Sequence, residues 1–231
     1  MSPKNKSKAK RVIGFYWQHA RVYPWSVAVI VSIVPVATIA NSLLPPLVLA
    51  RVLNRLSTHD YISGQPWQSF QTEIIVYAIL TLLAGLVFWR IVDYTVWRLE
   101  GKVQRDLAEL VFRHLISQSA DFHANNFAGS LVSGNNKLLG GYIRIADTTF
   151  FAVLPLIVSI IAAAIILAGP APYFSIGLVL FSVLYVFVSY RVSEPVRIAG
   201  GQHAAAESKQ TGQLADAITN AMAIKSFATD R

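Results

Sequence analysis

The chain has 231 residues, of which 54% are hydrophobic and only 14% charged, with a mean hydropathy of +0.48. Soluble domains carry roughly one quarter charged residues to wet their surfaces, so this composition excludes disorder and argues against a water-soluble globule. The absence of cysteine excludes disulfide scaffolds, thiolate metal sites and cysteine nucleophiles. The net charge of +8 is concentrated at the start, in Lys4, Lys6, Lys8, Lys10 and Arg11. These residues lack the aromatic interleaving of a strand-binding surface, so nucleic acid is not an expected partner.

Residues 1–24 read as a basic cytoplasmic leader ahead of the first span. Between Arg21 and Arg51 lie 29 uncharged residues, about 43 Å of helix at 1.5 Å per residue, enough to cross a hydrocarbon core of roughly 30 Å with tilt. Trp17, Tyr23 and Trp25 fall where interfacial aromatics belong, and a cleavable signal sequence would have a much shorter apolar region. Pro35 and the pair Pro45-Pro46 are expected to bend or end this helix, giving a first span of about 25–50. Glu73 and Arg90 bracket 16 uncharged residues, slightly short for a span unless Arg90 snorkels to the interface; the second span is placed at about 71–95. Arg90 and Asp93, at i,i+3 on one face, are read as an interfacial pair at its end.

Beyond the second span, Val96, Leu99, Val103, Leu107, Leu110, Val111 and Leu115 recur at three- and four-residue steps. Opposite charges at i,i+4 line the other face, in Lys102–Asp106, Arg105–Glu109 and Glu109–Arg113. This pattern predicts a helix leaving the membrane with one apolar stripe. From Thr148 to Tyr190 there are 43 residues without a charge, divided by Gly169-Pro170-Ala171-Pro172. Alternating glycine and proline stop a helix, so two antiparallel spans follow, at about 148–168 and 173–191. The alanine-rich tail from Ile198 places Leu214, Ile218, Met222 and Lys225 at helical spacing and reads as an extension of the fourth span.

The fold class is therefore an all-α membrane protein with four transmembrane helices and long cytoplasmic helical extensions. Residues 25–231 form its membrane domain, with intracellular loops at about 96–147 and 192–231. The inside segments 1–24, 96–147 and 191–231 hold seventeen of the twenty Lys and Arg residues, which places the N-terminus in the cytoplasm.

No catalytic or metal-binding pattern is present. The histidines His19, His59, His114, His123 and His203 form no HExxH pair, there is no GxSxG turn, and Gly101-Lys102 lacks the rest of a phosphate loop. Ile198-Ala199-Gly200-Gly201-Gln202 looks like the signature of ATP-binding-cassette nucleotide domains. It follows a span directly, without the phosphate loop such a domain carries, and is read as coincidence. Asn41, Tyr77 and Tyr185 serve helix packing as readily as cargo contact, so no substrate site is assigned.

The stretch Phe122-His123-Ala124-Asn125-Asn126-Phe127-Ala128-Gly129-Ser130-Leu131-Val132-Ser133 resembles the first intracellular loop of exporter-type ATP-binding-cassette transporters. Residues Asp216 to Asp230, ending Ile224-Lys225-Ser226-Phe227-Ala228-Thr229-Asp230, resemble the second. The two matches follow spans two and four, in the order that family requires. Asn220 stands where its second loop usually has glycine, Asp216 where it has glutamate, and Asn135-Asn136-Lys137 near a usual Asn-Asp pair.

The resemblance implies the membrane-spanning part of an ATP-driven exporter, of the multidrug or lipid type, built as the front part of a six-helix domain. Phe122, Asn126, Gly129, Ser130, Leu131, Ser133, Asp216, Met222, Lys225 and Phe227 would then contact the nucleotide-binding domains. The implied partners are membrane lipid, a nucleotide-binding domain and a second transporter subunit, in the cell inner membrane. The implied ATP and magnesium act in a domain outside this chain, which alone is not expected to hydrolyse ATP. Spans five and six of that family are also outside it. An importer permease would need an EAA loop, and after Glu207 the sequence Ser-Lys-Gln-Thr-Gly lacks its ending. The alternative of another class is a stand-alone four-helix membrane scaffold or regulator.

Overall fold

A computed structural model describes residues 3–126 and 128–220. Prolines open several helices, because their fixed φ suits a first turn and their missing N–H has no intrahelical acceptor there. Helix α1 (Pro3–Ala20) ends in a short turn, and Pro24 starts α2 (Pro24–Thr38). A π-helical turn, Ile39–Leu43, leads without a break into α3 (Leu44–Ser57). Of the two outcomes expected of the prolines, a bend or an end, the helix shows no end, and it runs for 34 residues, Pro24–Ser57. The N–H of Leu44 reaches back five residues to Ile39 O. This wider turn shifts the hydrogen-bond register at the point where Pro45 and Pro46 contribute no donor.

Two more π turns follow. Leu83–Phe88 joins α4 (Pro66–Leu82) to α5 (Trp89–Ile116), and Thr148–Val153 joins α7 (Ala128–Asp147) to α8 (Leu154–Ala168). The second of these again precedes a proline, Pro155. A short helix, α6 (Ala120–Asn125), lies between α5 and α7. The chain turns at residues 169–171 into α9 (Pro172–Val192), as the Gly-Pro-Ala-Pro run predicts, and α10 (Glu194–Thr219) follows after Ser193. The described residues contain no strand. Among the described residues four helices are long and apolar enough to cross a membrane, and the protein is an all-α, multi-pass membrane protein.

The chain forms two compact units, 1–110 with 139–179, and 111–138 with 180–231. In the first, α2 packs on α8 and on the π turn Leu83–Phe88, and α3 packs on α4. Ile30, Val34, Val92, Val96, Leu99, Val103 and Leu107 are fully enclosed. The apolar stripe predicted for α5 is thus the buried face as far as Leu107, whereas Leu110 is exposed. Leu86 and Ile165 are exposed apolar residues on the spans, as suits helices whose solvent is lipid.

The ends of α3 and α4 are clasped by charge. Arg55 Nη1 donates to Glu73 Oε1 at 2.9 Å and to the Ser69 carbonyl at 2.8 Å, while Arg51 Nε lies 3.8 Å from the same carboxylate. Arg51 and Arg55 thus lie on the continuation of the first helix, past the expected span end near residue 50, and both are paired. Arg90 is exposed, and no ion pair joins it to Asp93 among the described contacts, which corrects that expectation.

Helix α1 is tied to α5 and α7. The Tyr23 phenol, just after α1, donates to Asp106 Oδ2 at 2.6 Å, and the Lys102 ammonium sits 5.1 Å from the centre of the Tyr23 ring. Asp106 also lies 3.6 Å from Arg105 Nη2. These contacts replace the predicted Lys102–Asp106 pair. The Asp106 bond favours the neutral phenol and raises the Tyr23 pKa above its ordinary value. Tyr23→Phe is expected to cost roughly 1 kcal/mol, the low end for a bond to a carboxylate because the pair is partly open to solvent. Thermal unfolding in detergent checks this.

Tyr16 packs against Tyr142 with ring centroids 5.6 Å apart, and its hydroxyl approaches Gly141 so closely that a Cβ there would lie 2.9 Å away. Gly141→Leu is therefore expected to displace Tyr16 and loosen α1 while the spans stay inserted. The readout is faster proteolysis near residue 20 with unchanged membrane extraction.

Candidate functional site

The second unit contains the first loop. Helix α5 ends at Ile116, and the ring of His123 donates from Nε2 to the Leu115 carbonyl at 3.0 Å, closing the corner. Ser119 has extended backbone and caps α6, its Oγ accepting from the Phe122 N–H at 3.2 Å. Asn126 ends the helix with its Nδ2 donating to the Phe122 carbonyl at 2.8 Å. The result is a six-residue helix held at both ends by its own side chains. Phe122 is half-buried and meets the His123 ring edge-on.

The predicted contact residues fall into three groups. Phe122 and Asn126 belong to the short helix and its cap. Gly129, Ser130, Leu131 and Ser133 lie on the first turns of α7, so the short helix starts before Phe122 and stops before Gly129. Asp216 lies on α10, and Met222, Lys225 and Phe227 fall outside the described residues.

A cavity of about 440 Å³ separates the start of α7 from α10. Gly129, Ser130 and Ser133 line one side, and Leu214 and Ile218 line the other. Both apolar side chains are exposed, at 61% and 66%. The two predicted loop segments therefore meet at one space within this unit. Its other lining residues, including Gly134, Thr211, Gly212 and Ala215, carry no motif of their own. Their signal is small residues at helical spacing on both helices, which keep side-chain bulk out of the gap.

No group of three or more His, Asp or Glu side chains is gathered among the described residues. The stretch Ile198–Gln202 lies inside α10, where backbone N–H groups bond to carbonyls four residues back. It therefore lacks the free helix N-terminus that an anion needs.

The family model described as ABC transporter transmembrane region matches residues 28–231. No curated protein matches, and no solved structure matches.

Proposed function

From the chain's membership of the ABC transporter transmembrane family, we propose that it forms part of the substrate pathway and the coupling loops of an ATP-driven exporter. The cargo is a drug-like or lipid molecule, and the working unit pairs two such membrane subunits with nucleotide-binding domains. ATP and magnesium act in those domains. The protein sits in the cell inner membrane with its N-terminus in the cytoplasm, and both loops extend into the cytoplasm.

The observation that carries this reading is the short capped helix α6 between two long helices, each continuous with a membrane span. Ala120–Asn125 presents a compact end that a nucleotide domain can grip. Movement imposed there passes along α5 and α7, because an uninterrupted helix transmits displacement without absorbing it in a loop. Closure of the nucleotide domains then biases a two-state bundle between inward and outward openings.

The test uses inverted membrane vesicles holding the assembled transporter. ATP-dependent, vanadate-sensitive accumulation of a lipophilic dye or labelled lipid supports the reading. Membranes that contain the protein, bind a nucleotide domain and move no such cargo with ATP contradict it and favour the scaffold alternative.

A further inference from the structure

We propose that one face of α1 is a docking surface for anionic lipid, with Ile13 and Trp17 entering the membrane interface and the basic side chains beside them meeting the headgroup charge. Helix α1 has two adjacent lines of residues. Tyr16 and Ala20, four apart, are buried against the protein, and Tyr16 packs on Tyr142 of α7. Lys10, Ile13, Trp17 and Arg21 recur at steps of three and four, which puts them on the neighbouring line. All four are exposed, Ile13 at 55% and Trp17 at 52%. The line is thus a pair of large apolar side chains with a cation at each end. Trp25, one residue into the first span, is exposed at 84%.

Position brings this line to the membrane surface. Helix α1 ends at Ala20, and the first span opens at Pro24. Its anchor, Tyr142, precedes the charge-free run that starts at Thr148 by six residues, about 9 Å of helix. That is comparable with the headgroup layer flanking the hydrocarbon core. Charge then selects the lipid. Lys4, Lys6, Lys8, Lys10, Arg11 and Arg21 all precede the first span, and the first acidic residue of the chain is Asp60. A surface helix that combines exposed tryptophan with excess cation binds an anionic leaflet by both apolar burial and electrostatic attraction. Helix α1 lies ahead of residues 28–231, the region matched by the family model, so this surface is additional to that region.

The test uses the full chain in nanodiscs of phosphatidylcholine alone or with added phosphatidylglycerol. The chain has no cysteine, so Ile13→Cys carries a single fluorophore, and a lipid spin-labelled near its headgroup quenches that fluorophore on docking. Gln18→Cys, exposed on another side of α1, is the reference. Quenching at residue 13 is expected in anionic discs at low salt, to weaken in phosphatidylcholine and in high salt, and to be small at residue 18 throughout. Lys10→Gln is expected to shift the docking equilibrium roughly fivefold, the effect of one basic residue at such a surface, and Lys10→Arg to restore it. Equal quenching at residue 13 in neutral and anionic discs overturns the proposal. So does a residue 13 left unquenched in anionic discs; if an added nucleotide-binding domain then shields it, the face is a protein contact.

Discussion

Leu107→Ala is expected to lower stability by about 2–5 kcal/mol, the range for truncating an enclosed leucine. Leu107 is fully buried on the part of α5 that extends past Val96, one residue from the Tyr23–Asp106 hydrogen bond. Its loss combines two terms, the transfer of the removed methyl groups and the cavity left behind. The transfer term depends on where the unfolded helix goes. A residue whose helix enters water on unfolding loses both terms, whereas one that stays in lipid loses mainly packing, because lipid tails are as apolar as leucine. Ile30, equally enclosed but within the first span, is therefore expected to cost less when changed to alanine. Unfolding of both variants in the same detergent-lipid mixture measures the difference.

Phe122→Ala is expected to separate ATP hydrolysis from transport in the assembled transporter. A coupling free energy between two sites of about 1–3 kcal/mol corresponds to roughly 5–150-fold, and transport is expected to fall by a factor in that range. ATP turnover is expected to continue, because under the proposed function Phe122 serves as a docking contact and carries no group that acts on ATP. Insertion is unaffected, since the intrahelix caps of Ser119 and Asn126 use backbone atoms of Phe122 that alanine retains. Gly129→Pro is expected to have a smaller effect than Phe122→Ala. Gly129 is the second residue of α7, where a missing N–H costs little.

Much of the fold is legible in the sequence because lipid imposes a simple rule: charge-free runs of sufficient length become spans. The runs 22–50 and 148–190, and the Gly-Pro-Ala-Pro turn, locate helices α2–α3, α8 and α9. The three- and four-residue spacing of Val96, Leu99, Val103 and Leu107 by itself marks the buried face of α5. Proline leaves bend and end undecided in the first helix, where a π turn accommodates the missing donors of Pro45 and Pro46 without ending it. That outcome depends on neighbouring helices that pack on the turn, including α8 and α4.

Long-range polar contacts are not legible. Glu73 is paired with Arg51 and Arg55 through the packing of α3 on α4, and Tyr23 reaches Asp106 across 83 positions. No periodicity links residues so far apart. The candidate loop surface is half legible: the motif locates Phe122 to Ser133, whereas the cavity between α7 and α10 arises only from how those two helices pack. Glycine and serine at its edge carry little signal individually.

Under the proposed function both helical extensions lie on the side of the membrane where a nucleotide domain operates, and cysteine labelling reads that side. The chain contains no cysteine, so Ser63→Cys, Ser130→Cys and Ser208→Cys each introduce a single thiol. In intact cells, a membrane-impermeant maleimide is expected to label residue 63 alone. Residues 130 and 208 are expected to react only in inverted vesicles or after permeabilisation. Labelling of residue 130 or 208 from outside intact cells, with residue 63 protected, would contradict the account.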